Sequence, residues 1–345
     1  MNIPIENIYY LLCYAWNKLE EKERVKVDVD DKMQLLDLFA KVLINATKIL
    51  LKRGIDKSYI EQTTELAGVK GKILISQTLK SNLLFQQKTI CAYDEFSANI
   101  LTNRILVTTI LRLIKTKALD RELKKQLITL RRMLIDIEPI EMKFSLFNQV
   151  KIHRNNRFYG FLMNICQIIY ENTLPTEGGD KFNFSDFTRD ERKMNQLFEA
   201  FVRNFYAIEC KDFKVRREDI AWQFQCKDED SKSYLPKMST DITLQKDNQK
   251  IIIDAKFYKE TMAFYYDREK IKSQNLYQLF SYLMNQEDVK IPASLSATGI
   301  LLYPTIEKEY DLEFKFRNHI IQIKTINLNT HWTNISSRLK VILPT

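Results

Sequence analysis

The chain has 345 residues, with 53 Lys and Arg against 44 Asp and Glu, which gives a net charge of +9. This length allows two domains of ordinary size, and only 7 Gly and 7 Pro leave little room for disordered or low-complexity segments. The positive charge favours a polyanion such as nucleic acid as the partner, although charge alone does not establish one.

Several protein classes are disfavoured. The first residues, MNIPIENIYYLLCYAW, lack a basic segment and carry Glu6, so they are not typical of a signal peptide. No apolar run approaches the ~18 residues that a membrane helix needs. The cysteines are odd in number and share no CxxC spacing, which argues against a disulfide framework and a zinc site. They are Cys13, Cys91, Cys166, Cys210 and Cys226. We therefore expect a cytoplasmic protein.

The first half of the chain has apolar residues at helical spacing. The predicted helices cover 6–18, 33–54, 99–117, 121–137 and 158–174. Between the second and third helices, SYIEQTTEL and KTICAYDEF are predicted strands around the segment GVKGKI. This half is therefore expected to be helix-rich with a small β element.

A turn-rich stretch, PTEGGDKFNFSDF (175–187), predicts a domain boundary. Beyond it, the predicted helices are 190–208, 268–284 and 332–340, and the predicted strands are 219–225, 238–245, 250–257, 298–303 and 317–325. This order predicts a mixed sheet flanked by helices. The expected fold class is α+β, with one domain at 1–185 and a second at 186–345.

The predicted strands at 238–245 and 250–257 are joined by KDNQK, and Asp247 and Asn248 are typical of the centre of a hairpin turn. That register places Asp241 opposite Asp254, and strand alternation places Lys256 on the same face, opposite Ser239. Two carboxylates about 5 Å apart destabilise a sheet unless a positive charge lies between them. A divalent cation would supply that charge.

Oxygen ligands with few protein donors suit Mg²⁺, which shares its coordination shell with waters and a substrate phosphate. The ammonium of Lys256 could orient or deprotonate the attacking water and stabilise charge that develops on the phosphate. Asp241, Asp254 and Lys256 are therefore candidate catalytic residues for phosphodiester hydrolysis. The acidic-x-Lys triplet also occurs elsewhere, for example at Glu122 to Lys124, so it is the place at the end of an apolar strand that favours this site over an exposed strand end.

Glu199 lies on the helix before the sheet and is a candidate third carboxylate for the metal, while a solvated position on the helix face is an equal alternative. On the helix after the sheet, Gln274 and Gln278 are four residues apart and share a face, with Tyr277 adjacent. We consider these three as supporting residues that contact a DNA phosphate or the surroundings of Lys256.

Lys270 and Lys272 precede the same helix and are candidates for contacts with backbone phosphates of DNA. The simpler alternative for these lysines is a solvated position.

Asp241, followed by Asp254-Ala255-Lys256, resembles the signature of PD-(D/E)xK nucleases. Further segments resemble the McrC family, the endonuclease subunits of McrBC-type modification-dependent restriction systems, and the match runs to about residue 304. They are IPIENIYYLLCYAW (3–16), GVKGKI (68–73), NILTNRIL (99–106), TDIT (240–243), IDAKFY (253–258) and SQNLYQL (273–279).

The resemblance implies a restriction-endonuclease-like fold for residues 186–345 and a Mg²⁺-dependent endonuclease. Its implied metal ligands are Asp241, Asp254 and the backbone carbonyl of Ala255. The family cleaves DNA only with a hexameric AAA+ GTPase that recognises modified cytosine, and residues 1–185 would bind and stimulate that partner. None of the seven glycines forms G-x-x-x-x-G-K-[ST], so GTP should be bound by the partner and not by this chain.

Two other functions remain open from the sequence. A self-sufficient repair or recombination nuclease of the same superfamily would have the same acids and lysine, but would cut DNA without a partner. A non-catalytic adaptor of an AAA+ motor would use the basic domain only to hold DNA, and it has no need of a paired Asp241 and Asp254.

Overall fold

The computed structural model describes residues 3–20, 33–176, 178, 181–225, 230–258, 263–265, 268–270, 272–305 and 309–344. These residues divide into two units. The helical unit is residues 34–185, and the sheet unit combines residues 3–20 and 33 with 186–344. Each unit has buried apolar side chains of its own.

Helix α1 (Ile5–Ala15) belongs to the sheet unit. The side-chain amide of Asn7 donates a hydrogen bond to the carbonyl of Leu328 at 2.9 Å. The ring of Tyr10 stacks on Trp332 with centroids 4.3 Å apart. The prediction that placed the start of the chain in a 1–185 domain is therefore corrected, because the partners of α1 lie near the other end of the sequence.

The helical unit contains the long helices predicted from periodicity and two short helices that were not predicted. Its helices are α2 (Leu35–Arg53), α3 (Ile75–Lys80), α4 (Leu101–Lys115), α5 (Arg121–Met133), α6 (Phe144–Gln149) and α7 (Arg157–Glu171). Its strands are β1 (Ser58–Leu66), β2 (Lys72–Ile73), β3 (Thr89–Ser97), β4 (Thr173–Pro175) and β5 (Phe182–Phe184). The predicted β element is the three-stranded antiparallel sheet β1-β3-β2.

The sheet unit is built around a mixed six-stranded sheet. Its remaining helices are α8 (Glu191–Glu209), α9 (Ser273–Asn285), α10 (Pro292–Leu295) and α11 (Trp332–Ile342). Its strands are β6 (Lys214–Arg216), β7 (Asp219–Ile220), β8 (Met238–Ser239), β9 (Ile242–Lys246), β10 (Gln249–Ala255), β11 (Ala263–Tyr265), β12 (Arg268–Lys270), β13 (Thr298–Thr305), β14 (Asp311–Phe316) and β15 (His319–Asn327). The strand order is β14-β15-β13-β10-β9-β6. Strands β10, β13 and β15 are parallel, and the other pairs are antiparallel.

The strand predicted at 219–225 is wrong beyond its first two residues. Only β7 forms, and it pairs with β8 outside the main sheet. The following residues form a loop, in which the indole of Trp222 donates to the carbonyl of Pro236 at 2.7 Å. The backbone of Gln223 donates to the side chain of Asn285 at 3.0 Å. These residues therefore make hydrogen bonds with side chains and loop carbonyls, and not the regular backbone pairing of the predicted strand.

Strand β10 and helix α9 pack against each other on the face of the sheet that carries the site. Every residue of β10 from Lys250 to Ala255 is buried, as expected for a central strand with helices on both faces. Ile252 packs in one cluster with Leu279 and Leu283 of α9. Because side chains alternate along a strand, Asp254 lies on the same face as Ile252.

Helix α8 begins at a strong N-cap, since the carboxylate of Asp190 accepts hydrogen bonds from the backbone N–H groups of Arg192 and Lys193 at 3.0 and 3.1 Å. Within the described part of the chain, no helix is long and apolar enough to cross a lipid bilayer.

Candidate active site

The hairpin between β9 and β10 has the predicted register. Asp247 has a φ of 46°, which its short side chain tolerates in a turn. Pairing runs from Lys246 opposite Gln249 to Ile242 opposite Ile253, so Asp241 and Asp254 follow at the end of the hairpin. The predicted pairing of Ser239 with Lys256 is wrong, because Ser239 lies in β8 and pairs with Asp219 of β7.

Three charged side chains meet where β10 ends. The ammonium of Lys256 lies 2.9 Å from Oδ1 of Asp254 and 3.1 Å from Oδ2 of Asp241. The backbone N–H of Ala255 also donates to Oδ2 of Asp241, at 3.2 Å. The structure therefore brings together the three residues that the sequence predicts as catalytic, with Lys256 in contact with both acids.

Burial sets the protonation chemistry of this cluster. Asp254 is fully buried, and burial raises the pKa of its carboxyl to about 7, although the nearby ammonium of Lys256 opposes the rise. Burial alone would lower the pKa of Lys256, but the carboxylates of Asp254 and Asp241 outweigh it, and the pKa is raised. Lys256 therefore keeps its charge at neutral pH.

One oxygen of the cluster lacks a partner. Oδ2 of Asp254 is buried and accepts no hydrogen bond from the described residues. Such an atom costs about 1–3 kcal/mol when nothing compensates it. When both carboxyls are ionised, two carboxylates against one ammonium also leave the cluster with an excess of negative charge. The donor set of Asp241, Asp254 and the Ala255 carbonyl, all oxygen atoms, thus fits a hard divalent cation such as Mg²⁺.

Glu199 lies in α8, and its Oε1 pairs with Arg203 at 3.2 Å and with Arg217 at 3.6 Å. Burial raises the pKa of Glu199, and the charge of Asp241 raises it further, while the two arginines oppose the rise. Within the described ranges, no group of three His, Cys, Asp or Glu side chains has the geometry of a metal site. The predicted third metal carboxylate is therefore engaged with two arginines in this structure.

The three supporting residues predicted on α9 have different surroundings. Gln278 donates to the hydroxyl of Tyr282 at 2.7 Å, and that hydroxyl donates to the carbonyl of Ser239 at 2.8 Å. Gln278 thus braces the segment that leads into Asp241. Gln274 and Tyr277 are exposed.

The two lysines predicted to contact DNA differ in what the structure describes. Lys270 is the last residue of β12, and its side chain lies outside the described part of the structure. The ammonium of Lys272 lies 3.4 Å from the ring centroid of Tyr258, a cation–π contact. Their contacts with DNA stay predictions.

Sequence reasoning missed two asparagines beside the site. Oδ1 of Asn195 in α8 accepts a hydrogen bond from the backbone N–H of Phe257 at 2.7 Å, directly after Lys256. Asn275 in α9 donates to the hydroxyl of Tyr303 at 3.0 Å and accepts from Tyr258 at 3.2 Å. Asn275 stands inside the SQNLYQL segment, so that segment was the signal that could have identified it. Asn195 has no comparable signal.

The family described as the McrBC 5-methylcytosine restriction system component matches residues 6–304 of the chain. The chain belongs to the McrBC family. A curated relative in this family, the Type IV methyl-directed restriction enzyme EcoKMcrBC of Escherichia coli strain K12, is 31% identical over 337 residues, which are 98% of this chain and 96% of the relative. The resemblance to the McrC family is thereby confirmed.

A solved structure of the McrBC family shares the fold. It is the assembly of Thermococcus gammatolerans McrB AAA+ hexamers with bound McrC, and one of its chains matches with a TM-score of 0.60 and 17% identity. The match covers 99% of this chain and 76% of that chain. The predicted α+β class is confirmed by this likeness.

Proposed function

We propose that this chain is the endonuclease subunit of its McrBC system and hydrolyses DNA phosphodiester bonds at Asp241, Asp254 and Lys256. The observation that supports this proposal is the meeting of one lysine with two aspartates, one of which keeps a buried, unpaired oxygen. A purely structural ion pair would not need the second carboxylate or leave that oxygen without a partner.

Asp241, Asp254 and the carbonyl of Ala255 are the groups that would hold Mg²⁺. When bound, Mg²⁺ acts as a Lewis acid that polarises the phosphoryl group and neutralises part of its charge. The carboxyl of Asp254 must lose its proton to serve as a ligand, and its raised pKa makes that loss dependent on pH near neutrality.

Lys256 acts as a donor in this proposal. Since its pKa is raised, the amine stays protonated at neutral pH and is a poor proton acceptor. A protonated Lys256 can orient the attacking water, and it can stabilise the negative charge that develops on the phosphate. These roles are favoured over deprotonation of the water. The backbone hydrogen bond from Phe257 to Asn195 fixes the chain next to Lys256 and restricts where its ammonium can lie.

We further propose that cleavage requires a hexameric AAA+ GTPase and DNA that carries modified cytosine. The related assembly contains McrB AAA+ hexamers with bound McrC, which supports a partner of this kind. This chain has no P-loop sequence, so GTP is bound and hydrolysed by the partner. Binding and stimulation of the partner are assigned to the helical unit, residues 34–185.

The test combines the purified chain with its AAA+ partner, GTP, Mg²⁺ and either methylated or unmethylated duplex DNA. We expect cleavage of methylated DNA only when every component is present. Asp254→Asn should abolish cleavage while partner binding persists. Asp212→Asn is the matched control, because Asp212 is a largely exposed carboxylate whose only ion pair in the described residues is with Lys246 at 3.4 Å.

Two outcomes would contradict the proposal. Cleavage by the chain alone, without partner or GTP, would identify a self-sufficient nuclease. Cleavage that survives Asp254→Asn would mean that the catalytic site is elsewhere and would favour an adaptor function for this chain.

A further inference from the structure

We propose that Arg217 binds a backbone phosphate of the DNA at the edge of the Asp241–Asp254–Lys256 cluster, and that Glu199 positions Arg217 and does not coordinate the metal. This inference rests on the proposed function, because it assigns a substrate contact to the same site.

Arg217 is held beside the cluster from two directions. Its Nη2 lies 3.6 Å from Oε1 of Glu199, and its Nε donates to the carbonyl of Thr240 at 3.5 Å. Thr240 directly precedes Asp241. The next residue after the arginine, Glu218, is bonded to Thr240 through backbone and side chain at 2.9 and 3.0 Å. The backbone that carries Arg217 is therefore fixed to the backbone that carries Asp241.

The two arginines that pair with Glu199 differ in how far their side chains are exposed to solvent. The side chain of Glu199 is 17% exposed and that of Arg203 is 26% exposed, whereas that of Arg217 is 55% exposed. Within the residues that the structure describes, Nη1 of Arg217 has no hydrogen-bond or ion-pair partner. Arg217 is thus the cation of this group that an approaching polyanion can reach.

The contacts of Arg217 are long, which suits a group that exchanges one partner for another. Hydrogen bonds weaken as the distance between donor and acceptor exceeds about 3.2 Å. A guanidinium presents two parallel N–H groups to a phosphate, and such a bidentate contact is stronger than a single hydrogen bond to a neutral acceptor. Binding a phosphate would therefore replace weak contacts with stronger ones.

Glu199 is poorly placed to be a metal ligand but well placed to hold an arginine. Its Oε1 already contacts both arginines, and the charge of Asp241 disfavours a further carboxylate close by. Burial and the charge of Asp241 raise its pKa, and Arg217, Arg203 and Lys256 oppose that rise. Through these two ion pairs, Glu199 restricts the positions of Arg203 and Arg217.

The experiment measures binding of the full chain to a labelled duplex DNA, without divalent metal, over a series of KCl concentrations. Removing one phosphate contact should reduce the slope of log affinity against log salt by about 0.9. We expect this reduction for Arg217→Ala and the wild-type slope for Lys340→Ala. Lys340 is the matched control because it is also half-exposed and pairs with a glutamate of α8, Glu209, at 2.9 Å.

Glu199→Gln tests the positioning role against Glu209→Gln, which changes the net charge by the same amount. We expect Glu199→Gln to bind DNA more weakly than Glu209→Gln, and to cause no further loss when it is combined with Arg217→Ala. Arg217→Lys should keep the salt slope but lose affinity, since a lysine keeps the charge and loses the bidentate geometry. Isothermal titration should show unchanged Mg²⁺ affinity in Glu199→Gln.

A wild-type salt slope in Arg217→Ala, or no salt-dependent DNA binding by the wild-type chain, would overturn the phosphate contact. Loss of Mg²⁺ affinity in Glu199→Gln, or full additivity with Arg217→Ala, would overturn the positioning role. Because binding is measured without metal, these results are independent of whether the chain cleaves DNA. Failure of cleavage alone would therefore count against the proposed function and not against this inference.

Discussion

One ammonium faces two carboxylates at the end of β10, so the cluster has a surplus of negative charge whenever both carboxyls are ionised. Lys256 contacts one oxygen of each aspartate, while the second oxygen of Asp254 has no partner among the described residues. Lys256 therefore compensates only part of the cost of burying the two carboxyls. A bound cation and a proton on Asp254 are alternative ways to complete it.

The pKa of Asp254 predicts how stability and metal binding change with pH. Burial raises this pKa, so the native protein binds the proton more tightly than the unfolded chain does. The free energy of unfolding should therefore fall as the pH rises from about 4 to about 7, by on the order of a few kcal/mol. Thermal unfolding without metal should show this fall in the wild type and a smaller one in Asp254→Asn.

Mg²⁺ should act in the opposite direction, because it binds the ionised carboxylate. We expect Mg²⁺ to raise the melting temperature more above pH 7 than below it, and to do so little in Asp254→Asn. An equal Mg²⁺ effect at both pH values would contradict the assignment of Asp254 as a ligand.

Replacing Lys256 by Met should leave Asp241 and Asp254 facing each other without a cation. Breaking a buried ion pair in this way costs roughly 3–5 kcal/mol, and we expect a loss of that order above neutral pH. The loss should shrink in acid, where the carboxyls are protonated. Urea denaturation at several pH values measures it.

The matched control is Lys246→Met, at the other end of the same hairpin. Lys246 is 43% exposed and pairs with Asp212 at 3.4 Å, so its removal should cost at most about 1 kcal/mol. Equal losses in the two variants would mean that burial of the acids does not matter to stability.

At the scale of elements, the contact between β13 and α9 fixes the helix that carries Asn275. A Cβ atom added at Gly299 would lie 2.9 Å from Cδ1 of Leu283 and 3.1 Å from Cδ1 and Cδ2 of Leu279. Both leucines are fully buried and cannot turn into solvent. Glycine therefore allows α9 to approach the sheet closely.

Gly299→Ala should lower stability by roughly 1–3 kcal/mol, because the added methyl overpacks a filled core. It should also reduce cleavage, since α9 would move away from the strands that carry the site. Gly178→Ala is the control, as an added Cβ there meets nothing within 4 Å. Identical melting temperatures for the two variants would show that the β13–α9 contact is loose.

Elements with local sequence signals were predicted, and elements that depend on distant partners were not. The hairpin of β9 and β10 follows from turn residues and alternation, which are local. Strand β6 has only three residues, which are too few to show the apolar alternation that marks a strand.

The same distinction holds for the candidate site. Asp241, Asp254 and Lys256 lie on one hairpin, so their meeting could be inferred from register. The hydrogen bond of Asn195 to Phe257 joins residues 62 positions apart, and no local pattern announces it. The pairing of Glu199 with Arg217 likewise depends on how α8 packs on the sheet.

At the scale of the whole molecule, the sheet unit is assembled from two separate stretches of sequence. Helix α1 contributes Tyr14, whose ring lies 5.7 Å from that of Phe201 and 5.3 Å from that of Phe205, measured between centroids. Its Asn7 and Tyr10 contact residues near α11. The domain that carries the candidate site therefore includes the first helix of the chain.

A fragment of residues 186–345 should consequently be less stable than the sheet unit in the full chain, because it exposes the aromatic side chains that α1 covers. Co-production with a peptide of residues 1–20 should restore a cooperative melting transition. A fragment of residues 34–185 is the matched control and should melt cooperatively alone, since its core is contiguous. A 186–345 fragment that melts like the full chain would show that α1 is dispensable.

The split sheet unit also sets an order of events during protein synthesis. Helix α1 ends at Ala15 and its partner α8 begins at Glu191, so about 175 residues are translated between them. At a translation rate of roughly 5–20 residues per second, on the order of 10 s or more passes between the synthesis of α1 and the synthesis of the first residue of α8. The helical unit, whose residues are contiguous, can fold during that interval. A ribosome that pauses once residues 34–185 have left its exit tunnel would therefore carry a folded helical unit and an unassembled α1, whose apolar face is available to chaperones.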